Sequence, residues 1–489
     1  MKKELVVMKF GGTSVGNAAR LRQCAEIVRR GAESHRVIVV VSAMAGITDL
    51  IFRTIDAARQ GDSAATEASL KKFEVAHREL MLDLFAGERS ARALEFAGQI
   101  YEQLSRASQA LLTLRTEISP QTMDSLVALG ERITSWALAE YLNQTGCASA
   151  FIKAEEVIVT DANFGNATPE MNETTARCHS VLVPLLDGSA VPVMGGYSGA
   201  TADGRTTTLG RGGSDYSATI VGAALRADEV WIWTDVDGVL SADPRICPDA
   251  TILPDISFAE AIELAYYGAK VIHPKAAYPA QEAGIPVWIK NSFRPEVKGT
   301  RITNHAEASN SPVKSVTCVK QATLITLVTR RDIHPAELWG RLFLRLGQEQ
   351  VEVLFATQSS PEHALGLVLR REDGDRIVKL IASIFRMELA QGVLLPVEVN
   401  EEIAVVAVLG ESMKGTCGIL GRVFSAVARK EVSVIAVAQG ASELSICFAV
   451  EAKSANEVVK SIHEEFCAPA NSNIPVCLRP VAASVAGQQ

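Results

Sequence analysis

The sequence predicts an α/β protein: a large parallel-rich sheet sandwiched by helices, followed by two copies of a smaller α/β module. Three observations carry that prediction. Over the first ~300 residues, short β-branched apolar runs alternate with helical patterns, as buried parallel strands and their covering helices do. A polar stretch without a period then interrupts the pattern at 292–312. Beyond it the chain repeats itself, without a gap, at an offset of 81 residues.

Taken in order, the first strand is LVVM at 5–8, and it runs into KFGGTSVG at 9–16. RVIVVVSA at 36–43 is the second, and a long helical block fills roughly 48–146. AVPVMGG at 190–196, VWIWTDV at 230–236 and IPVWIKN at 285–291 complete the set of near-continuous apolar strands. SFRPEVKGTRITNHAEASNSP at 292–312 reads as the domain boundary. In the repeat, LITLVTRRDIHPAELWGRLF aligns with VVAVLGESMKGTCGILGRVF, VEVLFATQSS with VSVIAVAQGA, and ALGLVLR with LSICFAV. Each copy reads strand, helix, strand, strand, helix, the order of a ferredoxin-like split βαβ module. The expected division is 1–295 for the large domain, 296–312 for a linker, 313–393 and 394–475 for the modules, and 476–489 for a tail.

Composition bounds the partners. The 489 residues, at ~150 per domain, suggest about three domains. Net charge is −8 and no dense Lys/Arg tract is present, which argues against nucleic acid. The apolar run near Met1 is too short for a secretory signal, and no run approaches the ~18 apolar residues of a membrane-spanning helix. Nine cysteines, scattered and without a CxxC pair, argue against a disulfide framework and a zinc site. A cytoplasmic protein is expected.

Two glycine-rich stretches carry chemistry. In KFGGTSVG a lysine ends a strand, two residues without Cβ let backbone approach oxygen atoms, hydroxyls follow at Thr13 and Ser14, and a helix begins. That is a phosphate site built at the carboxyl end of a parallel strand. It is not the P-loop, in which lysine follows the glycines. DGRTTTLGRGGSDYSA at 203–218 joins Arg205, Arg211 and several glycines to Ser214 and Asp215 at a helix start, more polar equipment than a solvated loop needs. DVDG at 235–238 lacks the glycine and glutamate spacing of a calcium loop. Glu131 could, on its pattern alone, equally be an exposed helix residue.

KFGGTS at 9–14, VSAMAGIT at 41–48, ALGERIT at 128–134, TTTLGRGGSDYSA at 206–218, WTDVDGVLSADPR at 233–245 and GAKVIHPKA at 268–276 together resemble the signature set of the aspartate kinases. These have the amino acid kinase fold, and the C-terminal repeat is similar to their paired ACT domains. The resemblance implies ATP-dependent phosphorylation of the β-carboxylate of L-aspartate, the step that opens lysine, threonine and methionine synthesis, with Mg²⁺ riding on the nucleotide. It further implies Lys9, Asp215 and Lys270 as catalytic groups. Lys9, Phe10, Gly11, Gly12, Thr13, Thr234, Asp235, Asp243, Arg245 and Lys270 would bind ATP. Thr48, Glu131, Arg211, Ser214 and Asp215 would hold aspartate, Arg211 clamping a carboxylate and Glu131 facing the α-ammonium. No metal site fixed by protein alone is implied. A kinase for another acidic amino acid, or an amino-acid sensor with a weak kinase site, is the alternative reading. No GxGxxG dehydrogenase motif follows the second module, so a monofunctional chain is expected, assembled as a homodimer or homotetramer through its modules. In the first module His334, Pro335 and Glu337 stand where the second has Gly415, Thr416 and Gly418. Proline lacks an N–H and glutamate repels a carboxylate, so an effector, threonine or lysine, is expected at Gly415, Gly418 and Gln439.

Overall fold

The computed structural model describes residues 3–269, 271–307, 311–330, 335–359 and 363–467. Lys270, His334 and the expected tail lie outside the described residues. The chain divides into two compact units: 1–239 with 254–258 and 271–306, and 240–253 with 259–270 and 307–489.

The first unit is built on an eight-stranded sheet. Its strands, with those of a small neighbouring sheet, are β1 (Leu5–Phe10), β2 (Arg36–Val41), β3 (Ser149–Ile152), β4 (Val159–Thr160), β5 (Val191–Gly195), β6 (Ser198–Thr201), β7 (Thr206–Thr208), β8 (Glu229–Thr234), β9 (Asp255–Ser257), β10 (Val287–Asn291) and β11 (Thr300–Thr303). The large sheet runs β3-β5-β2-β1-β8-β10-β11-β9, and β4-β6-β7 form the small one. All five apolar runs are strands of the large sheet, which is parallel except between β10 and β11. Every residue of β1 is buried, as a central strand covered on both faces must be. On one face, Gly31 of the helix Ala18–Ser34 lets Met8 approach; on the other, Gly222 of Gly213–Leu225 lies against Val230. Helices begin where side chains take up their free N–H groups: Asn17 accepts from Arg20, Asp62 from Ala65, and Ser119 from Thr122 ahead of Pro120. The helical block comprises Ile47–Gln60, Ser63–Leu84, Glu88–Leu114, Pro120–Val127 and Leu129–Gln144.

β11 falls inside the span read as a boundary. Its polar sequence TRIT hides it, but Thr300 and Ile302 are fully buried and Thr300 Oγ1 accepts the Val239 N–H at 2.8 Å.

The second unit has one six-stranded sheet. Its strands are β12 (Ser315–Val328), β13 (Val353–Ser359), β14 (Ala364–Arg370), β15 (Glu398–Leu409), β16 (Val434–Gln439) and β17 (Ser445–Glu451), in the order β13-β14-β12-β15-β17-β16. β14 and β17 stand 81 residues apart at both ends. The long strands β12 and β15 pair antiparallel and so fuse the two modules into one sheet, with bulges near Ala322. Residues 240–253 and 259–270 pack here rather than in the first unit. Cys247 joins the apolar core of the second module. Glu260 forms a buried pair with Lys314 at 2.9 Å and accepts the Glu411 N–H at 2.7 Å. Tyr266 donates to the carbonyl of Val353, and Ser445 to Glu263. None of the helices in the described residues is long and apolar enough to cross a membrane. The eight described cysteines are all unpaired.

Candidate active site

A cleft of about 310 Å³ opens in the first unit, lined by Lys9, Gly12, Ser42 to Gly46, Thr48, Glu131, Tyr197 and Gly212 to Asp215. Five separate stretches of sequence converge on it, at the carboxyl ends of β1, β2 and β5 and at the starts of three helices, where ligands of such sheets bind.

Lys9 is the penultimate residue of β1 and only 8% exposed. Its Nζ pairs with Asp215 Oδ1 at 2.6 Å. Asp215 lies in the first turn of Gly213–Leu225, whose leading N–H groups have no partner within the helix. The pair thus places a cation and a helix N-terminus side by side, the two features that attract phosphate oxygens. Gly12 is required by close approach: a Cβ there would stand 2.8 Å from the Ala43 carbonyl oxygen and 3.2 Å from the Ala45 nitrogen. Ala45 N–H donates to the Gly12 carbonyl at 3.1 Å, which ties the lysine loop to the rim of the cleft. Phe10 is fully buried and stacks on Trp233, so it offers the cleft no side chain. Thr13 is exposed, and the helix after it begins only at Ala18.

Glu131, in the helix Leu129–Gln144, is 4% exposed. Its Oε2 is buried without a hydrogen-bond partner. Burial raises its pKa to about 7, against the smaller opposing pull of backbone N–H groups at Glu131 and Ala43. A buried carboxyl with one oxygen unpartnered in a cleft wall is suited to receive a cation, and the reading of Glu131 as an exposed helix residue is excluded. Thr48 sits in the first turn of Ile47–Gln60 and Ser214 beside Asp215, both on the cleft. Arg211 is exposed, one residue before the lining glycines.

Thr234 ends β8 beside the lysine loop: Gly11 N–H donates to the Trp233 carbonyl at 3.0 Å, and Ser14 Oγ meets Ser292 Oγ at 2.7 Å. Asp235 is exposed there. Asp243 and Arg245 belong to the second unit, where the guanidinium grips the carboxylate at 2.8 and 3.0 Å and holds it below the usual carboxylate range.

Three contributors escaped the sequence reading. Tyr197 lines the cleft in a left-handed conformation, φ 68°, its N–H bonded to Ser217 Oγ at 3.0 Å. Such backbone strain costs about 1–2 kcal/mol in a non-glycine residue and nothing in YSG signals it. Asp124 and Lys275 hold the loops around the arginine, as developed below.

A model of the amino acid kinase family matches residues 4–291, and one of the ACT domain matches 406–466. The chain is 32% identical over 465 residues to lysine-sensitive aspartokinase 3 of Escherichia coli, covering 94% of this chain and 98% of that one. It is 30% identical to bifunctional aspartokinase/homoserine dehydrogenase 2, chloroplastic, of Arabidopsis thaliana, over 94% of this chain and 50% of that one. The chain therefore spans about half the length of such bifunctional relatives. Its fold matches the E. coli aspartokinase III complex with aspartate and ADP at a TM-score of 0.77 and 31% identity, covering 94% and 99% of the two chains. The complex of the same enzyme with lysine and aspartate matches at 0.79, with 31% identity over 95% of this chain and 100% of that one.

Proposed function

The chain belongs to the amino acid kinase family, among its aspartokinases, and from that premise we propose that it transfers the γ-phosphoryl group of ATP to the β-carboxylate of L-aspartate. The observation that carries the reading is the juxtaposition of Lys9, paired with Asp215 at a helix N-terminus, and the unpartnered Oε2 of buried Glu131 in one cleft. The lysine and helix start suit phosphate, and the glutamate suits an ammonium group.

Aspartate enters with its α-ammonium on Glu131 and a carboxylate within reach of Arg211, whose planar fork matches carboxylate geometry. The β-carboxylate, with an ordinary pKa of ~3.9, is already ionised at neutral pH, so no general base is needed. One of its oxygens forms a bond to the γ-phosphorus while the bond from that phosphorus to the β,γ-bridging oxygen breaks, and ADP leaves with the electron pair. Lys9 and the N–H groups of Ser214 and Asp215 neutralise charge on the phosphoryl oxygens. Asp215 would be the acid to hold an Mg²⁺ arriving on the nucleotide, an ion that commonly binds through one or two carboxylates. Bound there, that ion would further neutralise the phosphates. Lys270, outside the described residues, is proposed as a second phosphate cation, and Thr234 and Asp235 as the nucleotide edge.

Feedback by an amino acid acts through the small modules, and two copies associate along the edge strand β16, where Ile435 and Val437 stand 37% and 42% exposed. The setting is cytoplasmic. Coupled ADP release with ATP, Mg²⁺ and a panel of acidic amino acids tests the reading. Turnover with aspartate and not with glutamate is expected; turnover with glutamate alone would assign the fold to a different acceptor.

A further inference from the structure

Arg211 is exposed and stands between two glycines in the left-handed region, Gly210 at φ 78° and Gly212 at φ 73°. A side chain carried between two such swivels is placed only as well as the backbone around it is held. That backbone is gripped from two sides. Asp124, buried in the helix Pro120–Val127, accepts from the N–H groups of Gly165 and Thr208, each at 2.8 Å, and from Thr208 Oγ1 at 2.8 Å. Lys275, second residue of the helix Pro274–Ala283, donates from Nζ to the carbonyl of Leu209 at 3.1 Å, the carbonyl of Ala167 at 3.2 Å and Asn166 Oδ1 at 2.7 Å. The same Asn166 oxygen lies 2.8 Å from where a Cβ on Gly210 would stand. His273, at the cap of that helix, lies 2.6 Å from the equivalent point on Gly212.

We infer that Lys275 is a positioning residue for the substrate-binding arginine. It spans Leu209 and Asn166 and so fixes the height of Gly210 and the approach of Arg211 to a carboxylate, without touching substrate itself. The assignment rests on the reading of Arg211 as the carboxylate clamp. Lys275 is half-buried among neutral oxygens, and burial lowers its pKa. An ammonium group so placed grips three acceptors at once, which a shorter or uncharged side chain could not do.

The test is steady-state kinetics of the full chain carrying Lys275→Met or Lys275→Arg, together with amide hydrogen exchange over 208–213. Lys275→Met is expected to raise the aspartate KM about tenfold or more, since small displacements of a positioning group cost up to ~10²-fold. The ATP KM should stay within about twofold, exchange over 208–213 should quicken, and Lys275→Arg should restore part of the loss. Equal rises in both KM values, or an unchanged aspartate KM, would overturn the inference. Should Lys275→Met fail to fold, Asn166→Ala removes one exposed acceptor and must show the same split at smaller size. An aspartate KM indifferent to Arg211→Ala would fault the clamp reading itself, and with it the arginine's role here. Unchanged exchange in Lys275→Met beside a sensitive Arg211 would fault only the grip.

Discussion

Glu131 is the side chain whose ionisation the fold disturbs most within the cleft. Its folded pKa is about 7 against an ordinary 4.5. Below 4.5 the group is protonated in folded and unfolded chains alike; between 4.5 and 7 the unfolded chain loses the proton first, so stability declines as pH rises through that window. Glu131→Gln is therefore expected to melt higher than the parent at pH 8, by up to about 3 kcal/mol, with a small difference near pH 5. Equal melting at pH 8 would show that the carboxylate finds a partner. Because an α-ammonium selects the ionised form, kcat/KM for aspartate should fall about tenfold per pH unit below 7 in the parent enzyme. Arg211→Ala is expected to lower kcat/KM for aspartate by about 30-fold or more with ATP affinity kept, and Lys9→Met to act mainly on kcat. The six motifs carried Lys9, Thr48, Glu131, Ser214 and Asp215 to the cleft wall. Tyr197, Asp124 and Lys275 were illegible because each acts through backbone that only the folded chain brings near.

Among the elements, the loop before the helix Ile419–Ala428 tests the expectation about effectors. Gly418 caps that helix at φ 85°, and Gly415 stands at φ 68°. The Gly415 N–H, expected to face an effector's carboxylate, instead donates to Glu443 Oε2 at 2.9 Å, so the chain's own carboxylate occupies that donor. An effector must displace it. Glu443→Ala is thus expected to lower the threonine or lysine concentration for half-inhibition by about fivefold, the worth of a hydrogen bond of ~1 kcal/mol. Gly418→Asp should abolish the response. Strong lysine inhibition that survives Gly418→Asp would place the effector on the first module's loop, despite Pro335. The repeat located β14 to the residue and β17 within one, because LSICFAV starts at Leu444 whereas the strand starts at Ser445, the position that the 81-residue offset assigns. β11 went unseen, because a four-residue strand with a threonine at one of its two buried positions has neither length nor apolar alternation to show.

At the scale of the whole molecule, the two units are interleaved along the chain, so a cut at one linker does not separate them. A fragment 1–295 keeps Cys247 and Tyr267 but lacks the strands they pack with, and it lacks β11. It is expected to be insoluble or to melt without cooperativity, whereas 1–467 should fold; a cooperative melt with ADP release from 1–295 would refute this. The sequence could not foretell the interleaving, since residues 240–270 carry a catalytic-domain motif and no boundary signal. The same arrangement bears on birth at the ribosome. The first unit is complete only once residue 306 has emerged, and segments 240–253 and 259–270 then wait for partners made as late as the helix Ala455–Phe466. At ~5–20 residues per second that delay is about 10–30 s, during which apolar side chains of a nearly finished enzyme remain on offer to chaperones or to a neighbouring nascent chain.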